Sequence, residues 1–305
     1  MRNPPIPRAV SVVTYTLLAT HLSMLSGYST AEVVRDGPVR AELIARHLAV
    51  VPGQEVDVAV RLVMDDGWHT YWKNPGESGM PTSLRWQLPA GFAVGDIRWP
   101  APSYYEVAGL ASYGYSGEVL LPVKLQAPPQ WSGDEVTLEA TADWLVCETT
   151  CVPGSAALSL TLPVHRGDAS VAEDPEHAER FARSDRRAVM LPVHESTSAP
   201  PPGRVLTEGD RYVLTLDPRL SLASASEWPD ARFFPAEPTL IDMGATQASS
   251  LNRQGGLTLG VARHPFASGP AERFAGVLVW SDPSGRTPDR IFEIDLPIRD
   301  AAAGE

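Results

Sequence analysis

Apolar and polar residues alternate with a period of two along much of the chain, a pattern typical of half-buried β-strands. Residues 54–64 show it most clearly, with Val56 and Val58 on one face and Glu55 and Asp57 on the other. Turn residues separate runs of this length, since the chain contains 29 prolines and 24 glycines. The pattern predicts an all-β protein in which short strands and turns build β-sandwiches.

Two further alternating runs flank the cysteines of the chain, Cys147 and Cys151. Their apolar positions are Val136, Leu138, Ala140, Ala142 and Trp144 upstream, and Leu158, Leu160, Leu162 and Val164 downstream. A period of two on both sides predicts two antiparallel strands, with the cysteines in or beside their connection.

The same signals predict two β domains. A chain of 305 residues is long enough for about two domains with substantial apolar cores. Strand patterns fill residues 32–165 and return, without cysteine, over residues 204–299. We expect each of these segments to form a β-sandwich, followed by a short tail at residues 300–305.

The connecting segment, residues 166–203, has a different composition. Asp174 and Pro175 have the residue types of an N-cap and a first helical position, which predicts a short helix over residues 176–187. Residues 196–203 are polar and rich in proline, as in a stiff linker.

Residues 1–31 have the organisation of an export signal peptide. Arg2 and Arg8 precede an apolar stretch over residues 9–27, and small residues suited to a cleavage site follow it. The alternative is an uncleaved membrane anchor, because the apolar stretch is nearly long enough to span a bilayer. His21 and several hydroxyl-bearing residues favour a cleaved signal. We therefore expect an exported chain, in a compartment where disulfides persist.

Charge and motif content exclude several functional classes. The net charge is −12 and the sequence has no basic blocks, which argues against nucleic acid as a partner. No Ser–His–Asp set, pair of catalytic carboxylates or phosphate-binding glycine loop stands out in the sequence. Hydrolase and kinase functions therefore have no support, and we expect no cofactor.

Cys147 and Cys151 allow three interpretations. An exported protein with an even number of cysteines usually pairs them in a structural disulfide. The loop closed here is so short that the chain-entropy gain is only about 2 kcal/mol, against nearly 5 for a loop of about a hundred residues. The second interpretation is a redox-active disulfide that a partner's thiolate attacks. Glu148 disfavours a thiolate, and no Lys, Arg or His is adjacent, so the pair is better suited to receiving electrons than to initiating attack.

The third interpretation is copper binding. Two thiolates together with Met64, Met80 or His69 would suit Cu(I), which prefers sulfur ligands. A closed zinc site is not expected, because the sequence has no second cysteine pair. For His69 the alternative is an ordinary buried or exposed histidine. The residues alone leave all three interpretations open.

Several motifs occur together around the cysteines, and the combination is more specific than any one of them. They are GWHTYWKNPGESG at residues 67–79, IRWPAP at 97–102, YGY with GEVLLPV at 113–123, and DWLVC through CVP at 143–153. Together they resemble the periplasmic N-terminal region of the DsbD/ScsB family of thiol–disulfide reductases and suppressor-of-copper-sensitivity proteins. The resemblance covers residues 35–165 closely. FFP at 233–235, with the ID that follows at 241–242, resembles that region's second domain more weakly.

The resemblance implies immunoglobulin-like domains and a redox role for Cys147 and Cys151. In such a protein the pair takes electrons from a membrane-embedded partner and passes them to oxidised periplasmic thiol proteins. Full-length family members continue into membrane and thioredoxin-like domains, which this sequence does not show. We therefore expect a separately encoded membrane thiol reductase and periplasmic thioredoxin-like proteins as partners. A copper-handling module of the same fold, with a copper ion as partner, and a module with an inert structural disulfide are the alternatives.

Aromatic residues near the motifs are candidates for a cover over the disulfide. Tyr71, Trp72, Tyr113 and Tyr115 would shield it from chance reductants, and the alternative is that they form ordinary sandwich core. Residues 74–79 are a candidate partner-binding loop, with a plain surface turn as the alternative. We expect Trp144 to pack in the core and to fix the strand that presents Cys147.

Overall fold

The computed structural model describes residues 30–167, 170–188, 191–194, 202–220, 230–251, 256–267, 271–281 and 289–301. Three sequence predictions lie wholly or mostly outside these residues. They are the export signal, the Pro-rich stretch from residue 196, and the C-terminal tail. None of the described helices is both long enough and apolar enough to cross a bilayer.

The first half of the described chain consists of twelve strands. They are β1 (Thr30–Ala31), β2 (Val34–Asp36), β3 (Val39–Ala45), β4 (Glu55–Met64), β5 (His69–Gly76), β6 (Ser83–Gln87), β7 (Ala93–Ile97), β8 (Ser103–Val107), β9 (Leu110–Ser116), β10 (Glu118–Gln126), β11 (Glu135–Cys147) and β12 (Cys151–Pro163).

These strands form two antiparallel sheets. One, here called the cysteine sheet, has the order β1-β12-β11-β5-β9-β8, with β6 also paired to β11. The other, the facing sheet, has the order β2-β3-β4-β10-β7. Alternate residues of both sheets are buried in one apolar core, as on β4 with Val56 and Val58 and on β11 with Leu138 and Trp144. The alternation read from the sequence thus marks the faces that pack together.

A short helix covers the outer side of the facing sheet. The helix α1 (Ala178–Ala188) follows Asp174, whose side chain accepts a hydrogen bond from the Glu176 amide at 2.9 Å. Its buried Phe181 packs with Ile44, Ala59 and Leu120 in a small second cluster. The helix therefore belongs to the folded body, because its apolar contact is made with strands of the first half.

The second half of the described chain adds eight strands. They are β13 (Leu191–His194), β14 (Gly203–Glu208), β15 (Arg211–Leu216), β16 (Asp230–Pro235), β17 (Ala248–Leu251), β18 (Leu257–Ala262), β19 (Arg273–Ser281) and β20 (Arg290–Asp300). One turn of 3-10 helix, Pro218–Leu220, follows β15.

Strand β20 organises this second half. It pairs antiparallel with β19 along one edge and parallel with β13 and then β14 along the other. The resulting path runs β16-β19-β20-β14-β15-β18-β17. Phe233 and Phe274 stack in its core at 4.1 Å between ring centroids, with Tyr212 edge-on to Phe274. The predicted all-β, immunoglobulin-like architecture is confirmed.

The two halves share a packed contact centred on Phe234 of β16. Its ring meets the Tyr113 ring edge-on at 5.0 Å and lies 6.4 Å from the ring of Trp72. Beside it, the Asn74 side-chain amide donates a 2.8 Å hydrogen bond to the carbonyl oxygen of Pro235. Phe234 is 3% exposed, so this contact is part of the protein core.

Replacing Phe234 with Ala is expected to lower the free energy of unfolding by about 3–5 kcal/mol, because a buried aromatic ring is lost and a cavity is left. Phe266→Ala is the matched control, since Phe266 is 85% exposed and should change stability by no more than about 0.5 kcal/mol. Denaturant titration followed by tryptophan fluorescence measures both. Equal effects of the two substitutions would contradict the central place of Phe234.

Candidate functional site

The two cysteines form a disulfide at the end of a long hairpin. Strands β11 and β12 pair from Glu135 opposite Pro163 to Cys147 opposite Cys151. The two sulfur atoms are bonded at 2.04 Å, and the Cα atoms lie 4.1 Å apart. Residues 148–150 make the turn beyond them and are exposed. The alternating runs in the sequence predicted this hairpin, and the structure places the cysteines as its last cross-strand pair.

Trp144 holds the strand that carries Cys147. It lies opposite Gly154 on β12 and is 1% exposed. A Cβ atom on Gly154 would lie 2.4 Å from the indole nitrogen of Trp144, so the ring occupies the space above this glycine. The position expected for Trp144, in the core below the cysteines, is the one observed.

The two cysteines differ sharply in exposure. Cys147 is fully buried, whereas Cys151 is exposed. Cys151 is therefore the accessible member of the pair, a difference that could not be read from the spacing of the cysteines.

Tyr71 contacts the disulfide directly. Its hydroxyl donates a hydrogen bond to the Cys147 sulfur at 2.9 Å and lies 3.8 Å from the Cys151 sulfur. The side chain is 1% exposed, and burial raises the pKa of its phenol above the ordinary value. The hydroxyl therefore keeps its proton at neutral pH and acts as a donor toward sulfur.

Two more rings extend this arrangement along the outer face of the cysteine sheet. His69 lies beside Cys147 in register and meets the Tyr71 ring edge-on at 5.3 Å. Tyr105 stacks on the other side of His69 at 4.9 Å. Burial lowers the pKa of His69, which favours the neutral imidazole, and its Nε2 atom has no hydrogen-bond partner among the described residues.

The segment over residues 75–81, here called the cover segment, closes the site above Tyr71. Gly79 has φ +109°, and a Cβ atom there would lie 2.2 Å from the Tyr71 ring. Glycine is required at this position both by the backbone angle and by the contact. The segment is anchored where Glu77 accepts a hydrogen bond from the Ala111 amide and its own amide donates to the Ala111 carbonyl.

The sheet separates the four aromatic residues that the sequence proposed as a cover. Neighbouring residues of a strand point to opposite faces, so Tyr71 lies on the outer face and Trp72 on the inner one. Trp72 and Tyr113 pack against Phe234, and the Tyr115 hydroxyl donates to the Pro100 carbonyl at 2.7 Å. Of the four, Tyr71 is the one in contact with the sulfurs in the described structure.

The sequence reasoning missed Gly79, Tyr105 and the pairing of His69 with Cys147. Gly79 lies inside the 67–79 motif, where a glycine after a turn could have marked a close approach to a side chain. Tyr105 carries no local signal, because its place beside His69 follows from the pairing of distant strands.

Of the residues considered as copper ligands, His69 lies beside Cys147, whereas Met64 lies on the opposite face of the cysteine sheet. Met64 is 3% exposed in the inner core, where its sulfur lies 3.9 Å from the Thr70 hydroxyl. Thr70 and Cys147 are on opposite faces of the cysteine sheet, as the alternation along β5 requires. Met80 is 50% exposed in the cover segment. Among the described residues, no group of three or more His, Cys, Asp or Glu side chains is placed to hold a metal ion.

Comparison with known proteins agrees with this geometry. The family model for the N-terminal region of the thiol:disulfide interchange protein DsbD matches residues 40–163, which include the disulfide, Tyr71 and the cover segment. Residues 40–163 are a DsbD N-terminal domain. The predicted membership of the DsbD/ScsB group is therefore confirmed for this part of the chain.

Among solved structures, the chain is similar to the N-terminal periplasmic domain of ScsB from Proteus mirabilis. The match has 18% identity and a TM-score of 0.57, and it covers 86% of this chain and 94% of that one. At this identity the match supports a shared fold. A protein of unknown function from Porphyromonas gingivalis W83 matches with 10% identity and a TM-score of 0.26, over 86% of this chain and all of that one. No curated protein sequence matches the chain significantly.

Gly79→Ala is expected to slow reduction of the DsbD-domain disulfide by dithiothreitol by about tenfold, because the new methyl group must displace the Tyr71 ring and with it the hydroxyl that bonds to the Cys147 sulfur. The control is Gly109→Ala, where φ is +80° and nothing lies within 4 Å of the added Cβ. Both variants introduce the same kind of backbone strain. The measurement is the pseudo-first-order rate at which the disulfide is reduced with dithiothreitol in excess. An equal slowing in both variants would show that Gly79 does not position Tyr71 against the disulfide.

Proposed function

We propose that this chain is an exported thiol–disulfide exchange protein that passes electrons from a membrane thiol reductase to periplasmic thiol proteins through Cys147 and Cys151. The observation that carries the proposal is the asymmetry of the disulfide. One sulfur is exposed for attack, and the other is buried against a hydroxyl donor at 2.9 Å. This asymmetry directs attack from solvent to Cys151 and makes Cys147 the leaving group.

In the first step a thiolate of the reduced partner attacks the Cys151 sulfur. The bond between the two cysteine sulfurs breaks, a mixed disulfide forms between the partner and Cys151, and the electron pair of the broken bond leaves on Cys147. Exchange is faster when the leaving thiol has a lower pKa. The Tyr71 hydroxyl donates to this sulfur and so stabilises the thiolate in its buried position.

In the second step the partner's other thiol loses its proton and attacks the partner sulfur of the mixed disulfide. The partner leaves with an internal disulfide, and Cys151 is released as a thiolate. Two electrons and two protons have then moved to Cys147 and Cys151. Reversal of these steps on an oxidised periplasmic protein reduces that protein and restores the disulfide.

The family match supports thiol–disulfide exchange, and the solved relative supports the location proposed here. The family model concerns a thiol:disulfide interchange protein, and the solved relative from Proteus mirabilis is a periplasmic domain of ScsB. We propose a separately encoded membrane reductase as the electron donor and thioredoxin-like periplasmic proteins as acceptors. Residues 32–165 and 204–299 act in this proposal as a redox domain and an accessory β domain.

The cysteine variants test the order of attack. Cys147→Ser leaves the exposed Cys151 thiol, whose thiolate is expected to displace thionitrobenzoate from a thioredoxin-like protein that lacks its resolving cysteine and carries its attacking cysteine as a thionitrobenzoate mixed disulfide. The product is a stable mixed disulfide between the two proteins. Cys151→Ser leaves the buried thiol of Cys147, and we expect at least about tenfold less adduct. Non-reducing gel electrophoresis with mass spectrometry measures both. Equal trapping would contradict attack at Cys151.

Tyr71→Phe tests stabilisation of the leaving group. A hydrogen bond to a charged group contributes about 1.5–3 kcal/mol, so the second-order rate of reduction is expected to fall about 10–100-fold. Tyr105→Phe is the control, because its hydroxyl bonds to Ser116 at 3.1 Å rather than to sulfur. Stopped-flow reduction by a small dithiol measures the rates. A Tyr71→Phe rate equal to that of the control would remove Tyr71 from the mechanism.

A redox titration tests the function as a whole. An exchange-active pair is expected to have a potential above about −300 mV, whereas structural disulfides of secreted proteins lie below it. Equilibration of the protein with defined dithiol buffers, followed by alkylation of free thiols, gives the value. A potential well below that limit would rule out the electron carrier and leave an inert bridge.

A further inference from the structure

A pocket lies between helix α1 and the cysteine sheet, next to the disulfide site. Its volume is about 230 Å³. Tyr105 lines one side of it and also stacks on His69. His69 pairs with Cys147 on one side and with Ser116, another lining residue, on the other. With strands about 4.8 Å apart, the pocket begins about 10 Å from the disulfide.

One face of the helix makes this pocket basic. Arg180, Arg183 and Arg187 recur at three- and four-residue intervals and all line it. This concentration of positive charge stands out in a chain of net charge −12. The helix is thus placed to hold an anion against the sheet.

The single carboxylate that lines the pocket is shared between Arg180 and an arginine outside the pocket, so it does not offset the charge of all three lining arginines. Glu118 accepts two hydrogen bonds from Arg61, at 2.7 and 2.9 Å, and lies 3.8 Å from Arg180. Arg183 has no ion pair among the described residues and is exposed on its solvent side. Its guanidinium is therefore free to bind an incoming group.

Arg187 is positioned by the neighbouring backbone. It donates to the Ala101 carbonyl at 2.8 Å, and its remaining nitrogen lies 3.7 Å from Asp289. These contacts hold its charge at the wall of the pocket. All three of its guanidinium nitrogens already face these partners, so Arg187 contributes charge rather than direct hydrogen bonds to a ligand.

A second observation points to a bound ligand. Ser184 lines the pocket at 7% exposure, and its hydroxyl has no hydrogen-bond partner among the described residues. Buried polar groups are almost always paired, so an unpaired hydroxyl at a pocket wall marks a place for an acceptor. A carboxylate oxygen supplies one.

The remaining wall favours an organic ligand over an inorganic ion. Pro100, Val119 and Leu120 contribute apolar surface beside the arginines. A group with a short hydrocarbon portion next to its charge would cover this surface. We propose that the pocket binds the carboxylate of a small organic acid through hydrogen bonds from Arg183 and the Ser184 hydroxyl. The positive charges of Arg180 and Arg187 add electrostatic attraction. This binding does not depend on the redox role of the disulfide.

The test is a titration of the purified protein with succinate, followed by amide chemical shifts of 15N-labelled protein at constant ionic strength. Saturable shifts are expected in helix α1 and strands β8 and β9, and none with neutral succinamide. Phosphate is expected to bind at least about tenfold more weakly than succinate. Absence of saturable shifts with succinate, equal shifts with succinamide, or phosphate binding as tight as succinate binding would overturn the proposal.

Substitutions place the ligand in the pocket. Arg183→Gln is expected to weaken succinate binding about tenfold or more, the loss of one hydrogen bond to a charged group. Arg186→Gln is the matched control on the same helix, because Arg186 bonds to Glu179 at 3.0 Å and does not line the pocket. Ser184→Ala is expected to weaken binding severalfold without lowering the thermal midpoint, since its hydroxyl has no partner to lose. Equal weakening by the Arg183 and Arg186 substitutions would overturn the site.

Discussion

The hydroxyl of Tyr71 against the Cys147 sulfur is the contact on which the rest of the site depends. This contact lies on the outer face of the cysteine sheet, whereas the inner face packs in the core. The outer face must therefore be covered at this point to bury the contact. The cover segment provides that burial, and Gly79 allows it to approach the ring. His69 and Tyr105 complete the enclosure from the side. The environment of one sulfur is thereby made apolar and hydrogen-bonded, while the other sulfur stays in solvent.

The local parts of this design were predictable from the sequence. The period of two on both sides of the cysteines predicts the β11–β12 hairpin, because each strand must present one apolar face to the core. The same rule predicts the burial of Trp144. Asp174 likewise predicts the start of the short helix, since its side chain can bond to a free amide of the first turn.

The remainder depends on contacts between distant parts of the chain. His69 and Cys147 are 78 positions apart in the sequence, and nothing local to either residue specifies their pairing. The grouping of Tyr71 with Trp72, Tyr113 and Tyr115 was drawn from proximity in the sequence, whereas the sheet assigns them to different faces. The parallel pairing of β13 with β20 was also unforeseen, because four residues beside a Pro-rich stretch carry too short a pattern to predict a strand.

The hydrogen bond from Asn74 to Pro235 helps to hold the surroundings of the disulfide in place. Asn74 directly precedes the cover segment, and its side-chain oxygen also accepts a hydrogen bond from the Gly76 amide. The start of the cover segment is therefore tied to the second half of the chain. Lifting it away from Tyr71 strains contacts at the Phe234 junction, so the position of the Tyr71 hydroxyl against the Cys147 sulfur depends on contacts made by both halves.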